Sequence, residues 1–271
     1  MTSTSPGQLF ADAYDPEKQT GEVTFDYTVT ESFLPTKDRP RLTVANLFRK
    51  RAVDEDAVTI WCEREGTPEE AALVHESDLR REAAFRFGTA VGKVEPIRAW
   101  VQIPEGLDKE QLAMFIDLRL LVRLATAENQ ALTYALTRHP EIAELPAPSF
   151  VEGVLTACEL IEQTGATPHA MIVHPQDYYR HLVTHPALLD NLRVGGTLVV
   201  RTRMVDPGRA VVGDFAMAAR LLDGQKSLIG VAEPPPGTFA RPGVAVLAQV
   251  YEGLAVHLPT HFHHVRVTGD G

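Results

Sequence analysis

Cysteine is scarce: Cys62 and Cys158 are the only two in 271 residues. That excludes a disulfide framework and suits a reducing cytoplasm. No stretch approaches the roughly 18 consecutive apolar residues of a membrane span. The opening MTSTSPGQLF has neither the basic start nor the apolar core of a secretion signal. Positive charge is thin as well. Twenty-six Lys and Arg against 36 Asp and Glu leave a net charge of −10, with no basic cluster, which argues against a dedicated sequence-reading DNA binder. Catalytic signatures are missing: there is no G-x-S-x-G elbow, Walker A loop, G-x-G-x-x-G turn or H-E-x-x-H helix. None of the six serines lies in a turn that would expose a nucleophile. No cofactor and no enzyme activity are implied.

What is present is an ordinary globular composition, 44% hydrophobic and 23% charged, long enough for one large domain or two small ones. In the first 45 residues, Pro6, Gly7, Pro16, Gly21, Pro35 and Pro40 leave no room for a helix of useful length. Within them VTFDYTVT alternates, with Val23, Phe25, Tyr27 and Val29 on one face. It reads either as an edge strand of its own domain or as an arm laid on a neighbouring subunit. Residues 56–64 and two stretches of 83–103 read as strands. In the first of the two Phe85 and Phe87 share a face; in the second Ile97, Ala99, Val101 and Ile103 do. The polar GTPEEAALVHESDLRRE between these strands suggests a long hairpin with a solvated tip. Two strands bury too little to stand alone, so the hairpin needs a surface to pack on.

The longest predicted helix runs from Asp108 to Arg138, opened by a capping box of Asp108 and Gln111 and stopped at His139-Pro140. Leu112, Phe115, Ile116, Leu120, Leu124 and Ala131 make its apolar stripe, while Asp117, Arg123 and Glu128 fall on the polar side. A second helix over 150–164 has Ser149 and Glu152 as its capping box and Gly165 beyond its end. AMIV (170–173) reads as a buried strand, and HPQD starts a helix in which His174 and Asp177 are capping residues before they are a catalytic dyad. PALLDNLRVGG (186–196) reads as a loop. TLVVRTRMV, RAVVGDF and SLIGVAE read as strands and AMAARLL as a short helix. GVAVLAQVYEGLAVHLP is a long strand or strand pair, and FHHVRV closes the chain.

Four of the ten histidines, His257, His261, His263 and His264, fall within eight positions. They are the chain's candidate metal ligands and the basis of an alternative reading as a metal-binding enzyme. Pro259 forbids the i, i+4 helical spacing that zinc sites use. On a strand His261 and His263 point one way and His264 the other, so at most two ligands converge, and no metal site is expected. The spacing fits a half-exposed terminal strand.

The order of elements resembles the major capsid proteins of tailed phages, the Hong Kong 97-type fold, and the encapsulins that share it. HESDLRREAAFRFGTAVGKVEPIRAWVQIPEGL (75–107) is similar to the end of the family's E-loop and the strand entering its spine helix. The long helix to ENQALTYAL (128–136) is similar to the spine helix itself. AMIVHPQDYYRHL (170–182) resembles the family's strand, Asn-Pro-x-Asp turn and helix. GRAVVGDFAMAARLL (208–222) resembles the strand and Gly-Asp-Phe turn that follow. FARPGVAVLAQVYEGLAVHLPTHFHHVRV (239–267) resembles the closing strands, with Pro259 at the family's usual proline. The sequence departs from the family at His174, where Asn is usual, and at Gln249 and Val250, which replace an acidic-Arg pair. Lys93, the only lysine from 51 to 108, sits on a strand rather than at the E-loop tip, which gives no support for covalent cross-linking.

The resemblance implies an α+β subunit with an N-terminal arm (1–48), an E-loop (49–103), a peripheral domain (104–168 and 225–271) and an axial domain (169–224). It implies assembly with copies of itself, as pentamers and hexamers, into an icosahedral shell. The expected function is that of an encapsulin in a bacterial cytoplasm, enclosing a cargo protein. The alternative is a phage or prophage capsid, and only then is nucleic acid a partner. Phage capsids often carry a long N-terminal scaffolding segment; this chain opens on its arm, which favours the encapsulin. No residue identifies a cargo groove. The loop 186–196 matches a region near the symmetry axes, which nominates His185, Asp190, Asn191 and Arg193 as pore-lining residues. The histidine cluster is expected on the strand that ends the peripheral domain, at a subunit contact or shell face.

Overall fold

The structure is a computed structural model that describes residues 4–25, 44–64, 86–185, 189–190, 192–239 and 243–269. The remainder of the alternating arm, including Tyr27 and Val29, lies outside these residues, as do Phe85 and the hairpin tip.

The N-terminal region holds a helix after all. Helix α1, Pro6–Ala13, starts with Pro6 in its first turn, and Ser5 caps it by accepting from the Gln8 backbone N–H. Proline is tolerated there because its missing N–H has no helical partner to lose, and Pro16 falls beyond the end. The prolines that exclude a long helix therefore leave room for eight residues. Strand β1, Glu22–Thr24, follows as an edge of the chain's own sheet. After a 3₁₀ turn at Val44–Leu47 come β2 (Arg49–Ala52), β3 (Ala57–Arg64), β4 (Arg86–Lys93) and β5 (Glu95–Gln102). β3 and β4 form an antiparallel pair with Ala57 opposite Lys93 and Arg64 opposite Arg86, the predicted hairpin.

The spine helix α2 is built from three successive pieces: Lys109–Phe115, a π-helical Ile116–Leu120, and Leu121–Thr137. Asp108 and Gln111 make the predicted capping box in both directions. Leu112, Ile116, Leu120, Leu124, Glu128, Leu132 and Leu136 are buried at a stride of four, with Ala113, Leu121 and Thr133 buried beside them. In a straight α-helix that stride rotates about 40° per step away from one line. The wider π turn unwinds part of the drift and keeps the stripe on the core. Two sequence assignments change: Ala131 is exposed, and Glu128 is fully buried at a core position.

Strand β6 (Ala143–Ala147) leads to α3 (Phe150–Gln163). Its N-terminus is capped by Ser149, and Gly165 beyond its end has φ +82°, a left-handed geometry suited to glycine. β7 (Ala170–Val173) is buried on both faces. Helix α4 (Pro175–Asp177) passes into a π turn over Tyr178–Leu182. The segment read as a loop carries a small hairpin of β8 (Leu189–Asp190) and β9 (Arg193–Val194), followed by β10 (Thr197–Arg201) and β11 (Arg209–Gly213). Helix α5 is only Phe215–Ala218. The predicted helix AMAARLL breaks there, because Ala219 begins the thirteen-residue strand β12, Ala219–Val231. Pairing of Ala219–Asp223 with β13 overrides their helical propensity. β13 (Ala245–Val256) and β14 (Phe262–Val267) finish the chain.

Two sheets result. The five-stranded sheet has the order β1-β12-β13-β5, with β2 parallel on the same edge of β12. Its Val246, Ala248 and Val250 face Leu112, Ile116, Leu120 and Leu124 of α2 and Phe10 of α1 in one core. The seven-stranded sheet has the order β6-β14-β11-β7-β10-β9-β8. Met171 and Val173 pack under α3, while Ala170 and Ile172 join a second core with Leu132 and Leu136 of α2. Such double-sided burial explains why AMIV reads as a continuous apolar run. β14 lies between β6 and β11 in this sheet, and β12 spans positions 224–225 with a shift in its register against β13 between Asp223 and Ser227.

Candidate functional site

The β3–β4 hairpin has two unlike faces. Ile60 and Cys62 point inward, where Ile60 joins Val53, Val94, Leu222 and Ala255 in a small core of its own. On the outer face Trp61 is 66% exposed and Val91 63% exposed. Trp61 is opposite Thr89 and Thr59 opposite Val91, which places the two large apolar side chains diagonally on one face.

His257, the first of the clustered histidines, ties this hairpin to the sheet. Its carbonyl accepts from the Glu63 N–H at 2.7 Å, and its ring Nδ1 lies 2.8 Å from the Trp61 carbonyl. The other three do not join it. His261 sits in a 3₁₀ turn, and its carbonyl accepts from the Asp214 N–H. On β14, His263 is half-buried and His264 buried. Burial holds both rings below the usual imidazole range; for His264 the neighbouring Arg209 adds to the effect, while Glu144, 4.0 Å away, opposes it. Among the described residues no three His, Cys, Asp or Glu side chains are placed to hold a metal.

The pore candidates are partly gathered. Asp190 and Arg193 are register partners across the β8–β9 turn, both exposed, and the Arg193 guanidinium donates to the Gly196 carbonyl at 2.6 Å. Leu192 in that turn has φ +62°, a left-handed backbone unfavourable for a branched side chain, and it packs against the α3 core. His185 lies three residues beyond the π turn that follows α4, with Nδ1 2.7 Å from the His181 carbonyl. Asn191 and the connecting residues 186–188 lie outside the described residues.

Both departures from the family pattern have a structural answer. His174 replaces the usual Asn as a cap, its Nδ1 accepting from the Gln176 N–H at 3.1 Å. Gln249 is buried and accepts from the Arg98 Nε of β5 at 2.6 Å. Asp177 also accepts from the Gly208 N–H, a structural tie rather than half of a dyad.

Three features escaped the sequence reading. A groove of about 850 Å³ separates α1 from the start of α2, lined by Asp12, Tyr14, Gln102, Pro104, Leu107 and Lys109 among others. Arg201 lies 4.7 Å from the Tyr178 ring and donates to the Tyr179 hydroxyl, a grouping at which only the Tyr-Tyr doublet hinted. Glu128 and Glu252 are both buried. Glu252 prolongs the column Val246, Ala248, Val250, and that break in an apolar alternation was a readable signal.

No family model matches the chain, and no curated protein matches it in sequence. Solved structures do match it in shape. A virus-like particle from Pyrococcus furiosus superposes with a TM-score of 0.61 at 11% identity, over 83% of this chain and 92% of that one. Mycobacterium phage Bobi gives 0.55 at 10% identity, over 91% and 96%. The capsid of Cyanophage P-SCSP1u gives 0.54 at 10% identity, over 90% and 94%. These superpositions show that the chain has the Hong Kong 97-type capsid fold.

Proposed function

We propose that the chain is a structural shell subunit that assembles with copies of itself into a closed icosahedral compartment enclosing a cargo protein, as an encapsulin does in a bacterial cytoplasm. One observation carries the self-assembly. The outer face of the β3–β4 hairpin presents Trp61 and Val91 to solvent on a two-stranded ribbon, and an isolated ribbon of that kind is marginal in water. Another copy of the chain covers that face in the shell. The net charge of −10 supports protein rather than nucleic acid as the content. The phage and cyanophage neighbours favour the second reading, a capsid that packages DNA.

Within the shell, the β8–β9 hairpin rims a pore, with His185, Asp190, Asn191 and Arg193 as its lining. The arm, E-loop, peripheral and axial divisions apply as the resemblance implies, pentamers and hexamers being the shell's building blocks. Electron microscopy of nuclease-treated recombinant protein, with absorbance at 260 and 280 nm on the same fraction, tests the function. Closed shells free of nucleic acid support the encapsulin; shells that protect nucleic acid support the capsid. A small oligomer without shells overturns both. If deletion of 188–193 leaves small-solute passage through the shell unchanged, the pore assignment fails.

A further inference from the structure

The β3–β4 hairpin meets the rest of the molecule at two places. At its base the inner face lies flush on the five-stranded sheet. A Cβ on Gly92 would come within 2.7 Å of Leu222 Cδ1 of β12, and one on Gly253 of β13 would run into the Lys93 carbonyl oxygen, so both close approaches need glycine. Ile60 completes this contact with Val53, Val94, Leu222 and Ala255. A ribbon held at its base alone can pivot there.

The second place is His257, which uses three of its own groups. Its backbone N–H and that of Leu258 donate to the Ala218 carbonyl at 2.8 and 3.1 Å, which anchors the residue to the end of α5. Its carbonyl accepts from the Glu63 N–H at 2.7 Å, and its Nδ1 lies 2.8 Å from the Trp61 carbonyl. A carbonyl oxygen only accepts, so Nδ1 carries the hydrogen and donates it. Residues two apart in a strand present their backbone groups to the same edge, and Trp61 and Glu63 do so on the edge of β3 that β4 leaves open. His257 thus completes a short piece of strand pairing, with its ring N–H in the place of a backbone N–H. Among the described residues, the two hydrogen bonds that link β3 and β4 to other elements both end on His257. Val58 is the register partner of Gly92, so Trp61 lies three residues, about 10 Å, beyond the base contact. Two fixtures that far apart set the direction of the ribbon.

We propose that His257 is a positioning residue for assembly: by holding the Trp61 carbonyl, it fixes the angle at which the Trp61 side chain and Val91 meet another copy of the chain. This role rests on the shell reading, in which that face is a contact between subunits. The ring bond acts at the same residue whose side chain makes the contact, so its loss is felt there first. A face fixed before association loses less freedom when the contact forms.

Wild type, His257→Phe and His257→Asn test this in the full chain. Phenylalanine keeps a ring without a donor, whereas asparagine carries its amide nitrogen on Cγ, as histidine carries Nδ1. Amide hydrogen exchange reads the hairpin without its neighbours when the three are compared in a Trp61→Ala background, which keeps the backbone carbonyl of position 61. Exchange over 57–64 should rise about tenfold in His257→Phe, from loss of one hydrogen bond, while 150–163 and 170–173 keep their rates; His257→Asn should restore the protection. With Trp61 in place, wild type and His257→Asn should form closed shells in electron microscopy, and His257→Phe should form open or irregular assemblies. Unchanged exchange in His257→Phe, or His257→Asn no better than His257→Phe, overturns the clasp. A loosened His257→Phe hairpin that still closes shells as the wild type does overturns the positioning role. A wild type that forms no shells overturns the shell reading and the positioning role together, and the exchange comparison still decides the clasp.

Discussion

The molecule contains two antiparallel ribbons with opposite fates. β12 and β13 pair over most of their length, and the face carrying Val246, Ala248 and Val250 is sealed by α2. β3 and β4 pair just as regularly, yet only the side of Ile60 and Cys62 is covered, and Trp61 and Val91 remain in solvent. The first ribbon completes its burial inside the chain; the second has half of its apolar surface left over. Alternation alone does not distinguish them, since both offer apolar residues to a partner. What separates them is whether the chain supplies that partner.

Substitutions can sharpen the contrast, beginning with the largest effect on the subunit. Val250→Asp places a charge against α2 in a position only 2% exposed, and should cost at least about 4 kcal/mol, enough to abolish cooperative unfolding in a urea titration. Gly253→Ala should cost about 1–3 kcal/mol, because its new Cβ would run into the Lys93 carbonyl oxygen where β13 passes β4. A lower urea midpoint at an unchanged slope would confirm it. Trp61→Ala should alter subunit stability by less than about 0.5 kcal/mol, since the ring is mostly in water, yet it should prevent closed shells from forming. Sedimentation and electron microscopy would read the assembly. A large stability loss with normal shells would break the comparison and move the hairpin's outer face into the subunit's own core.

The legible parts of the fold were those with local causes. The capping box of Asp108 and Gln111, the cap at Ser149, the left-handed Gly165 and the buried run at 170–173 all fall where the sequence puts them. Position-by-position errors arose where distant partners decide. Glu128 reads as a surface residue because the helix that carries it says nothing of the two sheets it packs against. Residues 219–222 read as helix because the strand they join begins more than twenty residues later. Of the candidate sites, the histidine cluster was readable as a strand end, but not as the point where His257 fastens the hairpin. The pairing of Asp190 with Arg193 needed the β8–β9 turn.

By itself the sequence determined the capped starts of the two long helices, the buried strand at 170–173 and the absence of familiar catalytic motifs, because capping, proline geometry and hydrophobic period act within a few residues. Only the tertiary structure decided which faces remain unburied, where the two cores meet, and that two glutamates are buried. Burial and electrostatics depend on what lies nearby in space, and chain order does not fix that.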